Sequence, residues 1–161
     1  MSGTQILLTI LGLALFSFLA LNVNKVVLNS SSQTDASEYI ATATTIGQSV
    51  LNMVSSKAFD QNTIGNPAYT NNNMFTPANK LGPENGETPA KYNDIDDYNN
   101  YADADTTPRA GIFNILVRVN YVDDNNPNTI LSTTSRTKRI QVAVKSPFMK
   151  DTLFMYTYKS Y

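Results

Sequence analysis

The sequence predicts an α+β protein in which a long N-terminal α-helix, apolar in its first half and amphipathic in its second, packs on a small antiparallel β-sheet head of about four strands. Three observations predict it: residues 6–23 carry no charge, residues 33–59 show a helical apolar repeat, and apolar and polar residues alternate in 111–122. At 161 residues the chain suits one domain with an appendage. We therefore divide it into a helix over residues 1–59 and a head over 60–161.

Composition excludes several classes of function. The net charge is -1 and 16% of residues are charged, so no basic surface for nucleic acid is indicated and we expect no nucleic-acid partner. The chain has no Cys, His or Trp, which removes thiolate and imidazole nucleophiles and most ligand sets for zinc, haem or iron–sulfur clusters. We expect a non-enzymatic protein.

The apolar stretch at residues 6–23 is long enough to cross a membrane. At 1.5 Å per residue it spans about 27 Å, close to the thickness of a bilayer's hydrocarbon core. No Lys or Arg precedes Lys25 and no small-residue cleavage site follows, so a cleaved secretory signal is disfavoured. We expect this segment to be inserted in a membrane at some stage.

The next stretch, residues 33–59, has the period of an amphipathic helix and contains no proline. Its apolar positions recur at steps of three and four residues: Tyr39, Ile40, Ala43, Ile46, Gly47, Val50, Val54 and Ala58. The two halves are expected to form one helix, loosened at residues 22–24 or 30–32 and about 80 Å long in total.

An uncharged N-terminal stretch running into a long amphipathic helix, followed by a linker and a β-rich head, resembles type IV pilins and pilin-like proteins, pseudopilins included. The resemblance covers the architecture, and at residue level it is confined to about residues 1–60. It implies that the apolar half lies in the inner membrane before assembly and then packs against neighbouring subunits in the core of a filament. Gln5 stands where the family carries Glu, so we expect Gln5 to accept a hydrogen bond from a neighbour's N-terminal amine.

The resemblance predicts an extracellular, pilus-like homopolymer at the cell surface, whose membrane-inserted precursor is handled by an export and assembly machinery. Gly12 is expected to allow close approach of helices. The residues expected to build the filament core, and to lie in the membrane beforehand, are Ile6, Leu7, Leu8, Ile10, Leu11, Gly12, Leu13, Leu15, Phe16, Phe18, Leu19 and Leu21.

Two alternatives remain open. A minor pilin-like component of a secretion or uptake machine would share the helix but act in few copies. A single-pass envelope domain would use residues 6–23 as an anchor and never polymerise.

Residues 60–108 are predicted to be rich in loops, because they hold most of the prolines and several Asn and Gly turn signals. Five carboxylates fall within a dozen residues: Asp94, Asp96, Asp97, Asp103 and Asp105. One interpretation is a hydrated acidic loop. The other is a calcium site, because oxygen-only ligands suit calcium, although the spacing does not match an EF-hand. No other cofactor is indicated.

The last third of the chain is predicted to be a meander of strands at residues 111–122, 129–135, 138–145 and 152–161. The basic residues Arg136, Lys138 and Arg139 are expected on the outer face of a strand. Together with the acidic stretch at 94–105 they suggested charge pairing between neighbouring subunits.

Asn29 begins an Asn-Ser-Ser acceptor sequence for N-glycosylation. The alternative is an unmodified polar break between the two halves of the helix.

Overall fold

A computed structural model describes residues 2–65 and 71–161 of the chain. It contains one long helix and a four-stranded antiparallel sheet, which confirms the predicted α+β class. Residues 66–70, within the segment predicted to be rich in loops, lie outside the described residues. The chain divides into two compact units, one ending at Glu38 and the other running from Tyr39 to Tyr161, which we call the head unit.

Helix α1 runs without interruption from Gly3 to Ser55, four residues short of the predicted end. The predicted loosening at residues 22–24 or 30–32 is not present, because the polar side chains there fold back onto the helix. The Asn22 side-chain amide donates to the carbonyl oxygen of Phe18 at 2.9 Å, and the Thr34 hydroxyl to that of Ser30 at 2.9 Å.

Within the head unit, α1 buries one face against the sheet. Ala43, Ile46, Leu51 and Val54 are buried there. Ile40, which was predicted on this face, is instead 52% exposed. The periodicity placed it at the margin of the apolar stripe, where a small shift in helix rotation decides burial.

Gly47 lies where α1 packs closely against the sheet. A Cβ atom at this position would lie 2.7 Å from the sulfur of Met155 and 3.4 Å from Cγ2 of Val144. A side chain at this position would therefore require Met155 to shift.

The sheet consists of β1 (Ala102–Thr107), β2 (Gly111–Val122), β3 (Thr137–Lys145) and β4 (Leu153–Ser160). The strands lie in the order β1-β2-β3-β4 and every neighbouring pair is antiparallel, so the sheet is a meander as predicted.

Two strand assignments made from the sequence were wrong. Residues 129–135 form no strand and contribute a single isolated bridge, between Ile130 and Val122. In contrast, β1 lies inside the segment assigned as loop. It is an edge strand with almost every residue exposed, so it lacks the apolar alternation that identifies a half-buried strand.

The alternation predicted for β2 is confirmed, since Phe113, Val117, Val119 and Tyr121 are fully buried. On β4 the structure decides between two faces that are both apolar in sequence. Leu153 and Met155 pack against the core, whereas the aromatic side chains of the opposite face are exposed. Those exposed residues are Phe154, Tyr156 and Tyr158.

The C-terminal end of α1 is held by Lys159 of β4. Its ammonium group donates hydrogen bonds to the carbonyl oxygens of Ser55, at 2.9 Å, and Lys57. A cation at this end satisfies carbonyl groups that have no partner within the helix. Burial lowers the pKa of Lys159.

Candidate functional site

The candidate functional surface is the apolar segment of α1, which we define as residues 6–28. None of its large apolar side chains is buried within this chain, and their exposed fractions range from 49% at Ile6 to 72% at Phe16. The exposed members are Ile6, Leu7, Leu8, Ile10, Leu11, Leu13, Leu15, Phe16, Phe18, Leu19, Leu21, Val23, Val26, Val27 and Leu28. Soluble monomers rarely expose a contiguous apolar surface of this extent.

Two hydroxyl groups within the apolar segment, those of Thr9 and Ser17, are satisfied by the helix itself. The Thr9 hydroxyl lies 2.9 Å from the carbonyl oxygen of Gln5 and 2.8 Å from that of Ile6, and the Ser17 hydroxyl donates to Leu13 at 2.8 Å. These side chains therefore need no water. The helix is long and apolar enough to cross a membrane, and its most apolar window is not covered by the rest of the chain.

Gln5 has a partner within its own chain. Its side-chain oxygen accepts a hydrogen bond from the backbone N–H of Ser2 at 3.1 Å, in the manner of a capping box at the start of a helix. The expected role of Gln5 towards a neighbour's N-terminal amine stays a prediction. At Gly12, a Cβ atom would meet nothing within 4 Å in this chain, so its surface is open to another helix.

The glycosylation candidate Asn29 lies within α1, and its residue surface is exposed. Its modification stays a prediction.

The acidic residues of the head do not form one hydrated loop as expected. Asp94, Asp96 and Asp97 are buried, with 0–1% of their surface exposed, around the short 3₁₀ helix Asp96–Tyr98. Asp103 and Asp105 are exposed on β1. The structure thus separates the five residues of the predicted calcium site into a buried turn and an edge strand.

Lys138 was predicted to face outward, and this was wrong. It is fully buried because it shares the inward phase of Ile140 on β3. Its ammonium nitrogen lies 2.7 and 2.8 Å from the two carboxylate oxygens of Asp96 and 3.0 Å from Oδ2 of Asp60. The carbonyl oxygen of Phe59 accepts a further hydrogen bond from it at 2.9 Å.

Asp60 is held from several sides. The backbone N–H of Thr76 donates to its Oδ2 at 2.8 Å, and the N–H of Asn62 to its Oδ1 at 3.1 Å. The Tyr121 hydroxyl lies 3.3 Å from Asp60 Oδ2 and donates to the carbonyl oxygen of Thr76 at 2.8 Å. The buried ion cluster Asp60–Asp96–Lys138 therefore joins the end of the helix to β2, β3 and the 3₁₀ turn.

The two carboxyl groups of this cluster differ in their ionisation. Burial raises the pKa of Asp60, but Lys138 and the N–H groups of Thr76 and Asn62 outweigh burial and hold this pKa below its usual value. Burial raises the pKa of Asp96 to about 8, because Lys138 offsets only part of the cost. One ammonium neutralises one carboxylate, and Asp60 is the better solvated by hydrogen bonds.

The buried cluster takes two charged residues out of the charge pairing expected between subunits. Part of the acidic stretch and part of the basic strand meet within one chain, through Asp96 and Lys138. The phase of Lys138 with Ile140, Val142 and Val144 was the signal in the sequence that indicated burial, but its counter-ions lie far away along the chain.

Sequence analysis also missed Glu84 and Glu87, which lie near Asp97 in the structure. The turn signal Pro-Glu-Asn-Gly-Glu at residues 83–87 marks a loop, but nothing local shows where that loop folds.

No protein-family model, curated protein or solved structure matches this chain.

Proposed function

We propose that this protein is the structural subunit of an extracellular, pilus-like helical filament that polymerises through the apolar segment of α1. The observation that carries the proposal is the continuous exposure of that segment: its large apolar side chains point away from the helix on all sides, and none is buried in the chain. Such a surface is stable only in lipid or against other apolar surfaces.

The hydroxyl groups of Thr9 and Ser17 bond to carbonyl oxygens of their own helix, so they need no water either in lipid or in a bundle of helices. The helix can therefore pass from one environment to the other without losing these hydrogen bonds. A contact that joins two different surfaces of identical subunits, and that does not close into a ring, propagates as a helical filament. The protein is then a building element and not a catalyst.

Electron microscopy of the sheared surface fraction tests the proposal, with mass spectrometry on the same material. We expect filaments in producing cells, none in a deletion strain, and this chain as the dominant protein in the filaments. If the protein stays in the membrane fraction and no filament depends on it, the anchored-domain alternative replaces the proposal. Filaments that contain this chain in only a few copies would favour the minor-component alternative.

Substitution of Leu11 sharpens the test. Leu11→Lys places an ammonium at a site that is apolar in lipid and in the filament core, so we expect loss of filaments. Leu11→Met changes the side chain with little change in volume and should leave filaments intact. Normal filaments from Leu11→Lys would remove Leu11 from the core.

A further inference from the structure

The head contains a second group of carboxylates that the filament proposal does not use. Carboxylate oxygens of Glu84, Glu87 and Asp97 all lie within 4.8 Å of one another. Among residues 2–65 and 71–161, these three side chains form the one group close enough together to share a metal ion. Glu84 is exposed, Glu87 is half-buried and Asp97 is buried, so the group opens to solvent on one side.

Two separate loop segments build this group. Glu84 and Glu87 flank a turn in which Gly86 has φ 87° and the N–H of Glu87 donates to the carbonyl oxygen of Glu84 at 3.0 Å. Asp97 lies in the 3₁₀ helix Asp96–Tyr98. The Asn99 side-chain amide donates to the carbonyl oxygen of Leu81 at 2.9 Å, which ties the two segments together.

An independent observation points to a ligand at Asp97. Its Oδ2 accepts hydrogen bonds from the N–H groups of Asn93, at 2.8 Å, and Asp94, at 3.2 Å. Its Oδ1 is buried and has no hydrogen-bond partner in the described chain. A buried carboxylate oxygen without a partner is costly, so a ligand at this atom would offset that cost.

The same turn carries a further unpartnered oxygen. Asp94 Oδ1 accepts from the N–H groups of Asp96, at 2.7 Å, and Asp97, at 3.2 Å, whereas its Oδ2 is buried without a partner. Lys138 is engaged with Asp60 and Asp96.

We propose that Glu84, Glu87 and Asp97 bind a calcium ion, with Asp97 Oδ1 as the buried ligand atom. Calcium takes oxygen ligands at about 2.3–2.6 Å, so oxygens that share one ion lie within about 5 Å of one another, and these three oxygens meet that limit. The smaller magnesium ion draws its ligands to about 2.0–2.1 Å in a strict octahedron, which an open turn fits less well. The site keeps Asp97 from the set predicted from sequence and replaces the other four residues.

The bound ion would connect the turn at residues 83–87 to the 3₁₀ helix, and thereby stabilise the loop-rich part of the head. Three carboxylates and an open side that admits water place the affinity in the range of extracellular calcium modules, with a Kd of about 0.1–1 mM. This inference does not depend on filament formation.

The test uses the full chain in detergent micelles, with calcium removed by a chelator and then restored. We expect the Tm of the head to rise by several degrees in about 10 mM Ca²⁺, roughly ten times the weaker Kd, because the ion binds the folded state. The double variant Glu84→Gln/Glu87→Gln should show no rise. The matched control Asp105→Asn/Asp124→Asn changes the net charge equally at exposed carboxylates and should respond as the wild type does.

Terbium gives a direct reading of the same site, because it replaces calcium and its luminescence is excited through nearby tyrosine. Tyr98 follows Asp97, and its ring lies 5.0 Å from that of Tyr92. We expect tyrosine-excited emission from the wild type and the control, displaced by calcium and absent in the double variant. Asp97→Asn keeps an acceptor for the N–H groups of Asn93 and Asp94, and it should fold and lose the emission.

The proposal is overturned by a wild type that shows neither the rise in Tm nor the emission. It is equally overturned if the double variant binds as the wild type does. An identical rise in Tm with magnesium at the same concentration would overturn the assignment of calcium. If Asp97→Asn does not fold, the double variant of the two more exposed glutamates still decides.

Discussion

The apolar segment and the core of the head use the same kinds of side chain in opposite ways. Leu11 and Leu19 of the segment are 52% and 60% exposed, whereas Val117 and Val119 of β2 are fully buried. The head unit completes its core from its own strands and the second half of α1. The large apolar side chains of the segment are exposed in the chain, and in the proposed filament they pack against other subunits.

Polar groups show the same contrast. In the apolar segment, hydroxyl groups bond to a nearby carbonyl oxygen of their own helix, as Ser17 does to Leu13. In the head they bond across long distances in sequence, as Lys138 does to Asp60 and Asp96. The hydrogen bonds of these hydroxyl groups in the segment do not depend on the tertiary structure, whereas those of the buried cluster form only in the folded head.

The largest expected effect separates the two regions outright. Removal of residues 1–32 should abolish membrane association and filaments while the head remains folded, soluble and monomeric. The physical reason is that, among the described residues, the core of the head includes no side chain from this stretch. Circular dichroism and sedimentation of the truncated chain check this. An unfolded or aggregated product would show that the head depends on the removed residues.

Loss of the buried ammonium comes next. Lys138→Met leaves two buried carboxyl groups without a counter-ion, and we expect a loss of about 3–5 kcal/mol in the free energy of unfolding near pH 8. Arg118→Met, which removes an exposed cation from the neighbouring strand, should cost little. Chemical denaturation of both variants in detergent gives the comparison.

The deficit of Lys138→Met should shrink as the pH falls. Without the ammonium, only the N–H groups of Thr76 and Asn62 oppose the burial that raises the pKa of Asp60. We expect this pKa to rise above its unfolded value, so that the folded variant binds protons more tightly than the unfolded chain. A raised carboxyl pKa gives stability that is present below the unfolded pKa and lost as the pH rises through the folded pKa. Both pH 4.5 and pH 8 lie above the unfolded pKa of about 3.9, so the deficit should be larger at pH 8. An equal deficit at the two pH values would contradict this account.

A smaller effect compares two glycines of the same helix. Gly47→Val forces its side chain against Met155 and Val144, and we expect a loss of about 1–3 kcal/mol in the stability of the head. Gly12→Val meets no atom of its own chain, so the melting of the head should be unchanged. Filament yield should fall for Gly12→Val if neighbouring helices approach there. Equal melting curves for both variants would show that α1 is free to move away from the sheet at Gly47.

The smallest effect concerns single hydroxyl groups. Ser135 is buried and its hydroxyl lies 2.7 Å from the carbonyl oxygen of Val122, so Ser135→Ala should cost about 1 kcal/mol. Ser17→Ala removes a hydroxyl bonded only within its own helix turn, and we expect unchanged filament yield and unchanged melting of the head. A loss of filaments with Ser17→Ala would indicate a hydrogen bond from Ser17 to a neighbouring subunit.

Local patterns in the sequence determined the long helix, the apolar segment, and the facing of β2 and β3 from Ile140 onward. These features depend on repeats of 3.6 or 2 residues, which a single stretch of chain displays by itself. Gln5 was named from the family resemblance, Asn29 from its acceptor sequence and Gly12 from its small size, and their roles remain predictions.

Only the tertiary structure decided β1, the burial of Lys138 and the grouping of Glu84, Glu87 and Asp97. Edge strand β1 has no buried face of its own, so its pairing with β2 gives no periodic signal. Lys138 is separated from Asp96 by 42 residues and from Asp60 by 78, and no local pattern reports such contacts. The strand phase turns Lys138 inward, and its charge is tolerated there because the fold supplies carboxylates around it.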